Sequence, residues 1–128
     1  MYAAAVPIFI HRLIEHKPPT VYGDGGQTRD LIHVQDVVRA NLMAAEHPAA
    51  AGEIFNVCTG VATRILDVLA ALAELFPERR EPEFKPPRPG DVYRSVGSPS
   101  KAAQALAFRA EVSLADGLRE AVQWARAV

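Results

Sequence analysis

The sequence has little of several things that would point to particular classes of protein. It has a single cysteine, Cys58, so an intrachain disulfide is excluded and a reducing compartment is favoured. Only 23% of its 128 residues are charged and the net charge is −1, which argues against a nucleic-acid or anionic-membrane surface. The longest apolar run, Tyr2 to Ile10, is far shorter than the roughly 20 residues of a membrane span. We therefore expect a cytoplasmic protein that binds neither membrane nor nucleic acid.

The sequence also lacks the usual motifs of catalysis. No Gly-Lys-Ser/Thr occurs, and no tyrosine is followed four residues later by lysine, the pair that would suit hydroxyl oxidation. The four histidines show no metal-ligand spacing, so no metal is predicted. From the residues alone, the chain is a module without a catalytic centre of its own.

The periodicity predicts an α/β or α+β chain with three to four substantial helices and a few short strands. Helices are predicted at Pro7–His16, from Val34 to Glu46, after an N-cap at Thr63, after Ser98-Pro99, and from Leu114 onward. Strands are predicted at Thr20–Tyr22, Glu53–Cys58 and Glu83–Lys85. The strands are too few for a complete doubly wound sheet, so a Rossmann domain is not expected within residues 1–128.

The segment VYGDGGQTRD, which begins at Val21, raises the question of a dinucleotide-binding loop. Gly23 and Gly25 fit the first two glycines of GxGxxG, but Thr28 stands at the third, and an extended segment follows instead of a helix. The glycines are therefore predicted to form a turn. Arg29 after this turn and Arg88 in the rigid PPRPGD loop are candidate phosphate ligands, and the alternative is that each pairs with a nearby aspartate on the surface.

Several motifs resemble the NAD-dependent epimerase/dehydratase family, the extended short-chain dehydrogenases, and within it the UDP-glucose 4-epimerases. They follow one another in the family's order along essentially the whole chain: GDGGQTRDLIHVQDVVRA, NVCTG, RPGDVYRS, SPSKAAQAL and SLADGLREAVQWAR. They are similar to the carboxyl-terminal, nucleotide-sugar-binding part of that family. Ala107 departs from the pattern, because it stands where the family has a glycine and a left-handed residue is expected.

The resemblance implies a ligand and a set of site residues. The arginines of the TRD and RPGD motifs, here Arg29 and Arg88, would bind the diphosphate of a UDP-sugar, and Asp91 would contact the ribose. Thr20 and Tyr22 would hold the base through backbone groups. NAD is expected in the full-length family enzyme, and this chain alone is expected to bind no cofactor and to be inactive.

Two other interpretations stay open. The chain could be a non-catalytic interaction module that has lost ligand binding, or a dTDP-sugar dehydratase lobe. We also expect self-association through an apolar face around Tyr2 to Phe9 that a dinucleotide domain would normally cover.

Overall fold

The computed structural model describes residues 5–128, which form five α-helices and four short strands. In chain order these are α1 (Ala5–Ile14), β1 (Thr20–Tyr22), β2 (Thr28–Arg29), α2 (Val34–Glu46), β3 (Thr63–Arg64), α3 (Ile65–Leu75), β4 (Glu83–Lys85), α4 (Ser100–Leu106) and α5 (Leu114–Ala127). The α/β class is confirmed. The five helices lie at the five places predicted from the sequence, and the seven-residue α4 is the shortest of them.

The chain divides into two compact units, each built from separate stretches of sequence. Within the described residues, the first unit comprises 5–27, 64–93 and 114–128. The second comprises 28–63 and 94–113.

In the first unit, α1, α3 and α5 pack around an apolar core. Each helix contributes residues spaced three or four apart, which places them on one face. The buried members are Phe9, Ile10, Leu13, Ile65, Val68, Leu72, Leu118 and Val122. Val68 and Leu72 are fully buried, so α3 lies at the centre of this core.

The first unit also carries a two-stranded parallel pair, β1 with β4. Both strands have the predicted bounds, and Val21 lies opposite Phe84 and Tyr22 opposite Lys85. The pairing continues into the following turn, where the backbone N–H of Gly23 donates to the Lys85 carbonyl at 2.8 Å. The end of β1 and the end of β4 are therefore held side by side.

Helix α3 begins two residues after the N-cap predicted at Thr63, because Arg64 takes the capping position. The Asp67 carboxylate accepts the backbone N–H of Arg64 at 3.1 Å, and the Arg64 guanidinium donates to the same carboxylate at 2.6 Å. An acidic residue in the first turn also suits the positive end of the helix dipole.

In the second unit, α2 and α4 pack around a smaller core of Ala40, Ala102, Leu106 and Phe108. Asp36 is a buried residue of α2, with 1% of its surface exposed. Its carboxylate accepts the backbone N–H groups of Glu111 and Val112, each at 3.1 Å, and pairs with Arg39 at 2.7 Å. A buried carboxylate is tolerated here because its oxygens are hydrogen-bonded and its charge is partnered.

The bounds of α2 agree with the prediction, but its orientation does not follow from the apolar spacing that predicted it. Val34, Val38 and Leu42 are 65%, 53% and 60% exposed. The side toward the core instead carries Asp36 and Ala40. The segment predicted as a strand at Glu53–Cys58 is also not a strand, because it makes no ladder pairing within the described residues and packs Phe55 and Val57 against the core by their side chains.

The left-handed residue expected at the end of α4 is confirmed, since Ala107 has φ +55° and ψ +22°. No helix within residues 5–128 combines the length and the apolar character needed to cross a bilayer. The apolar segment predicted around Tyr2 to Phe9 lies partly outside the described residues.

Candidate functional site

The glycine-rich segment of the first unit is a tight turn, as predicted. Gly23 and Gly25 have φ values of +82° and +76°, which residues other than glycine rarely adopt. A Cβ on Gly25 would also approach the Leu66 side chain to 2.7 Å. The Asp24 carboxylate closes the turn by accepting the backbone N–H of Gly26 at 2.8 Å. The turn leads into the short strand β2, whereas a dinucleotide-binding loop leads into a helix that receives the pyrophosphate.

A cavity of about 560 Å³ opens beside this turn, entirely within the first unit. Its size is within the range of small-molecule sites. It is lined by the end of β1, the glycine turn and the loop after β4: Tyr22, Gly23, Asp24, Gln27, Lys85, Pro87, Arg88, Asp91, Val92 and Tyr93. Three of the five site residues proposed from the sequence, Tyr22, Arg88 and Asp91, are therefore brought together. Thr20 lies two residues earlier on β1 and is not among the lining residues.

Arg88 lies against the ring of Tyr22 in this cavity. The guanidinium carbon is 3.7 Å from the ring centre, a close cation–π contact. Hydrogen bonding to Arg88, followed by the charge of the same guanidinium, lowers the pKa of the Tyr22 phenol. The proline-rich loop 86–89 thus presents a cation whose side chain already has a partner in the cavity wall.

A second contact joins the loop after β4 to the glycine turn. The Tyr93 hydroxyl donates to the Asp24 carboxylate, with distances of 3.1 and 3.3 Å to its two oxygens. The N–H of Gly26 and then the Tyr93 hydroxyl lower the pKa of Asp24. The carboxylate therefore stays ionised at neutral pH and fixes one edge of the cavity.

Four polar residues of the cavity wall were not proposed from the sequence: Asp24, Gln27, Lys85 and Tyr93. Gln27 Nε2 donates to the Tyr22 carbonyl at 2.7 Å, and Gln27 Oε1 is buried with no hydrogen-bond partner in the described structure. The signal that could have found Asp24 and Gln27 is their position inside the glycine-rich motif. Tyr93 likewise lies inside the RPGDVYRS motif, whereas Lys85 follows only from the pairing of β1 with β4.

Arg29 belongs to the second unit, where its Nη1 donates to the Thr28 carbonyl at 2.8 Å. The neighbouring Asp30 is engaged elsewhere in that unit, by Thr59, Gly60 and Gly97. Among the described residues, the ion pair that the sequence left open for Arg29 and Asp30 is not formed. The phosphate-binding role of Arg29 stays a prediction.

The comparisons with known proteins agree on one family. Residues 2–58 match the NAD dependent epimerase/dehydratase family. The chain is 39% identical over 124 residues to the UDP-glucose 4-epimerase of Mycolicibacterium smegmatis, an alignment that covers 97% of this chain and 39% of the relative. It is 35% identical over 124 residues to the dTDP-glucose 4,6-dehydratase of an Actinoplanes species, covering 95% of this chain and 38% of the relative.

Among solved structures, the UDP-glucose 4-epimerase of Thermotoga maritima, determined with UDP-glucose, superposes with a TM-score of 0.90 at 38% identity. That alignment covers 98% of this chain and 40% of the other. The fold is that of the matching part of these epimerases. Over nearly its whole length the chain is similar to members of the NAD-dependent epimerase/dehydratase family, and it spans about two fifths of the length of the relatives it matches.

Proposed function

We propose that the chain is the carboxyl-terminal, substrate-binding part of a UDP-glucose 4-epimerase-like enzyme and that its cavity binds the nucleoside diphosphate of a UDP-sugar. The observation that carries the proposal is the meeting of Tyr22, Arg88 and Asp91 in one cavity of about 560 Å³. Tyr22 precedes Arg88 and Asp91, which share one motif, by 66 and 69 positions, and the family resemblance names all three for the same ligand.

Each residue has a role that suits its chemistry. The planar, permanently charged guanidinium of Arg88 is suited to the diphosphate. The Asp91 carboxylate offers hydrogen-bond acceptors, which suits the hydroxyls of a ribose. Thr20 and Tyr22 would hold the base through backbone groups. Arg29 is proposed as a second diphosphate ligand on the strength of its motif.

In a complete family member, bound NAD would accept the hydride from the sugar carbon whose hydroxyl is oxidised. The glycine turn of this chain does not have the loop-to-helix form that a dinucleotide requires. The residues described here would therefore bind and orient the nucleotide sugar and neutralise its phosphates, and no step of the chemistry is assigned to them.

Calorimetry of the 128-residue chain with UDP and with uridine tests the proposal. Replacing Arg88 with alanine should weaken UDP binding about ten- to a hundredfold, since a hydrogen bond to a charged group is worth roughly 1.5–3 kcal/mol. Uridine carries no phosphate, so its binding should change little.

The matched control is Arg79→Ala, an exposed arginine of the same unit that does not line the cavity. It should leave UDP binding unchanged. No UDP binding by the wild-type chain, or an equal loss for UDP and uridine in Arg88→Ala, would overturn the proposal and favour the interaction-module interpretation.

A dTDP-sugar dehydratase part is a second candidate, which the 35% identity to a dTDP-glucose 4,6-dehydratase favours. Parallel titrations with UDP and dTDP separate the two, because the ribose and the base differ while the diphosphate is the same. Tighter binding of dTDP than of UDP would select the second candidate.

A further inference from the structure

Arg88 is an exposed side chain in a loop after β4, and its backbone is stiffened by three prolines, Pro86, Pro87 and Pro89. Proline fixes the backbone φ angle but does not restrict the side chain of its neighbour. An arginine has several rotatable bonds, so a guanidinium that no neighbouring side chain holds would lose much conformational entropy on binding an anion.

The ring of Tyr22 is the support that the structure offers. Its strand β1 is paired with β4 so that Tyr22 lies opposite Lys85, three residues before Arg88. Gln27 Nε2 also holds the Tyr22 carbonyl at 2.7 Å. The backbone that carries the ring is thus fixed from both sides, and the guanidinium lies 3.7 Å from the ring centre.

We propose that the Tyr22 ring is a positioning residue for Arg88, holding the guanidinium in the cavity before an anionic ligand arrives. The inference rests on the proposed function in that the anion is the diphosphate of a nucleotide, and it adds a task for the Tyr22 side chain to the backbone contact with the base.

The charges in the cavity explain why Arg88 would need to be positioned. Two carboxylates line the same cavity, Asp24 across the turn and Asp91 in the same loop as Arg88. Asp24 already accepts hydrogen bonds from Gly26 and Tyr93. An arginine held by a single aromatic side chain keeps most of its five N–H donors available to a ligand, whereas an arginine paired with a carboxylate would have to give up that partner first.

A double-mutant cycle with UDP and uridine tests the proposal. Tyr22→Leu removes the aromatic face and should weaken UDP binding about three- to tenfold, as expected for the loss of a cation–π contact. Uridine binding should weaken less than UDP binding, because uridine has no phosphate for Arg88 to contact. Tyr22→Phe restores the ring and should recover most of the lost affinity. In an Arg88→Ala background, Tyr22→Leu should cause no further loss, because the ring then has nothing to position.

The outcomes separate this inference from the proposed function. If Tyr22→Leu weakens uridine as much as UDP, or weakens UDP equally with and without Arg88, the ring contacts the nucleotide directly and the inference is wrong. If the wild-type chain binds no UDP, the proposed function fails. The inference about Tyr22 and Arg88 is then tested by a measurement that needs no ligand.

The ligand-free measurement is the ultraviolet titration of the tyrosine phenols, with the Tyr22 signal isolated by subtracting the Tyr22→Phe titration. Arg88→Ala should raise the pKa of the Tyr22 phenol, since Arg88 is the main cause of its lowering. Arg79→Ala should leave it unchanged. An unchanged Tyr22 titration in Arg88→Ala would show that the ring and the guanidinium are not in contact and would overturn the inference.

Discussion

The carboxylate of Asp30 accepts two hydrogen bonds from Thr59, one from its backbone N–H at 2.8 Å and one from its hydroxyl at 2.7 Å. The other oxygen of Asp30 accepts the N–H of Gly60 at 2.8 Å. The aspartate of the TRD motif thus ties two distant stretches of the second unit together. Asp30 therefore has a structural role. Its carboxylate is engaged by Thr59 and Gly60, and the Arg29 guanidinium donates to the Thr28 carbonyl instead.

We therefore expect Asp30→Asn to lower the free energy of unfolding by about 1.5–3 kcal/mol, because an amide can replace only part of these charge-assisted acceptor contacts. Urea denaturation measures the change. Glu53→Gln is the control in the same unit, since Glu53 forms an exposed pair with Lys101 and its replacement should change the stability much less than Asp30→Asn. Equal effects of the two substitutions would contradict the structural role of Asp30.

The buried carboxylate of Asp36 predicts a loss of stability in acid. Burial raises the pKa of Asp36, but hydrogen bonds from the N–H groups of Val112 and Glu111, together with Arg39, outweigh burial and leave the pKa lowered. A group with a lowered folded pKa stabilises the protein above its unfolded pKa, about 3.9 for aspartate, and this stabilisation is lost as the pH falls through the folded pKa.

The wild-type unfolding free energy should therefore fall below about pH 4. Asp36→Asn should lower it by about 2–3 kcal/mol at pH 7 and make it less sensitive to acid. Denaturation measured from pH 7 to pH 3 checks both effects. An acid dependence as steep in Asp36→Asn as in the wild type would show that Asp36 does not contribute to it.

Ala107 stores backbone strain that glycine would relieve. Its left-handed conformation is unfavourable for a residue with a Cβ, and its side chain is exposed, so little packing is lost on removing it. Ala107→Gly should raise the unfolding free energy by about 0.5–1 kcal/mol. Ala103→Gly, inside α4, should lower it by about 1 kcal/mol. Thermal or urea denaturation that shows both variants destabilised alike would contradict the assignment of strain.

Besides the face around Tyr2 to Phe9, the exposed stripe of α2, Val34, Val38 and Leu42, is a second surface through which we expect self-association, because adjacent exposed apolar side chains mark association sites. Leu42→Glu should shift the chain toward the monomer in light scattering at high concentration without lowering its melting temperature. Gln104→Glu adds the same charge on an exposed position of α4 and should have no such effect. A wild-type chain that stays monomeric at every concentration measured would contradict this prediction.

Local signals predicted the elements well where the sequence marks both ends. The strands Thr20–Tyr22 and Glu83–Lys85 and the helix Val34–Glu46 have the predicted bounds. Prolines precede the first strand, glycine ends it, and two prolines follow the second. The orientation of α2 could not be predicted in this way, because periodicity shows that a stripe exists and not which stripe meets the core.

The site shows the same limit. Tyr22, Arg88 and Asp91 could be proposed because each belongs to a motif of the family. The contact between Tyr93 and Asp24 joins residues 69 positions apart, and no local pattern indicates it. The stacking of Arg88 on Tyr22 likewise depends on the parallel pairing of β1 with β4, which the short strands alone do not reveal.

The most direct test of the proposed function is a crystal structure of the chain with UDP. We predict that UDP occupies the cavity of the first unit, with a phosphate oxygen about 2.7–2.9 Å from the Arg88 guanidinium and the ribose hydroxyls at the Asp91 carboxylate. UDP bound elsewhere on the chain, or in this cavity with its diphosphate away from Arg88, would contradict the account.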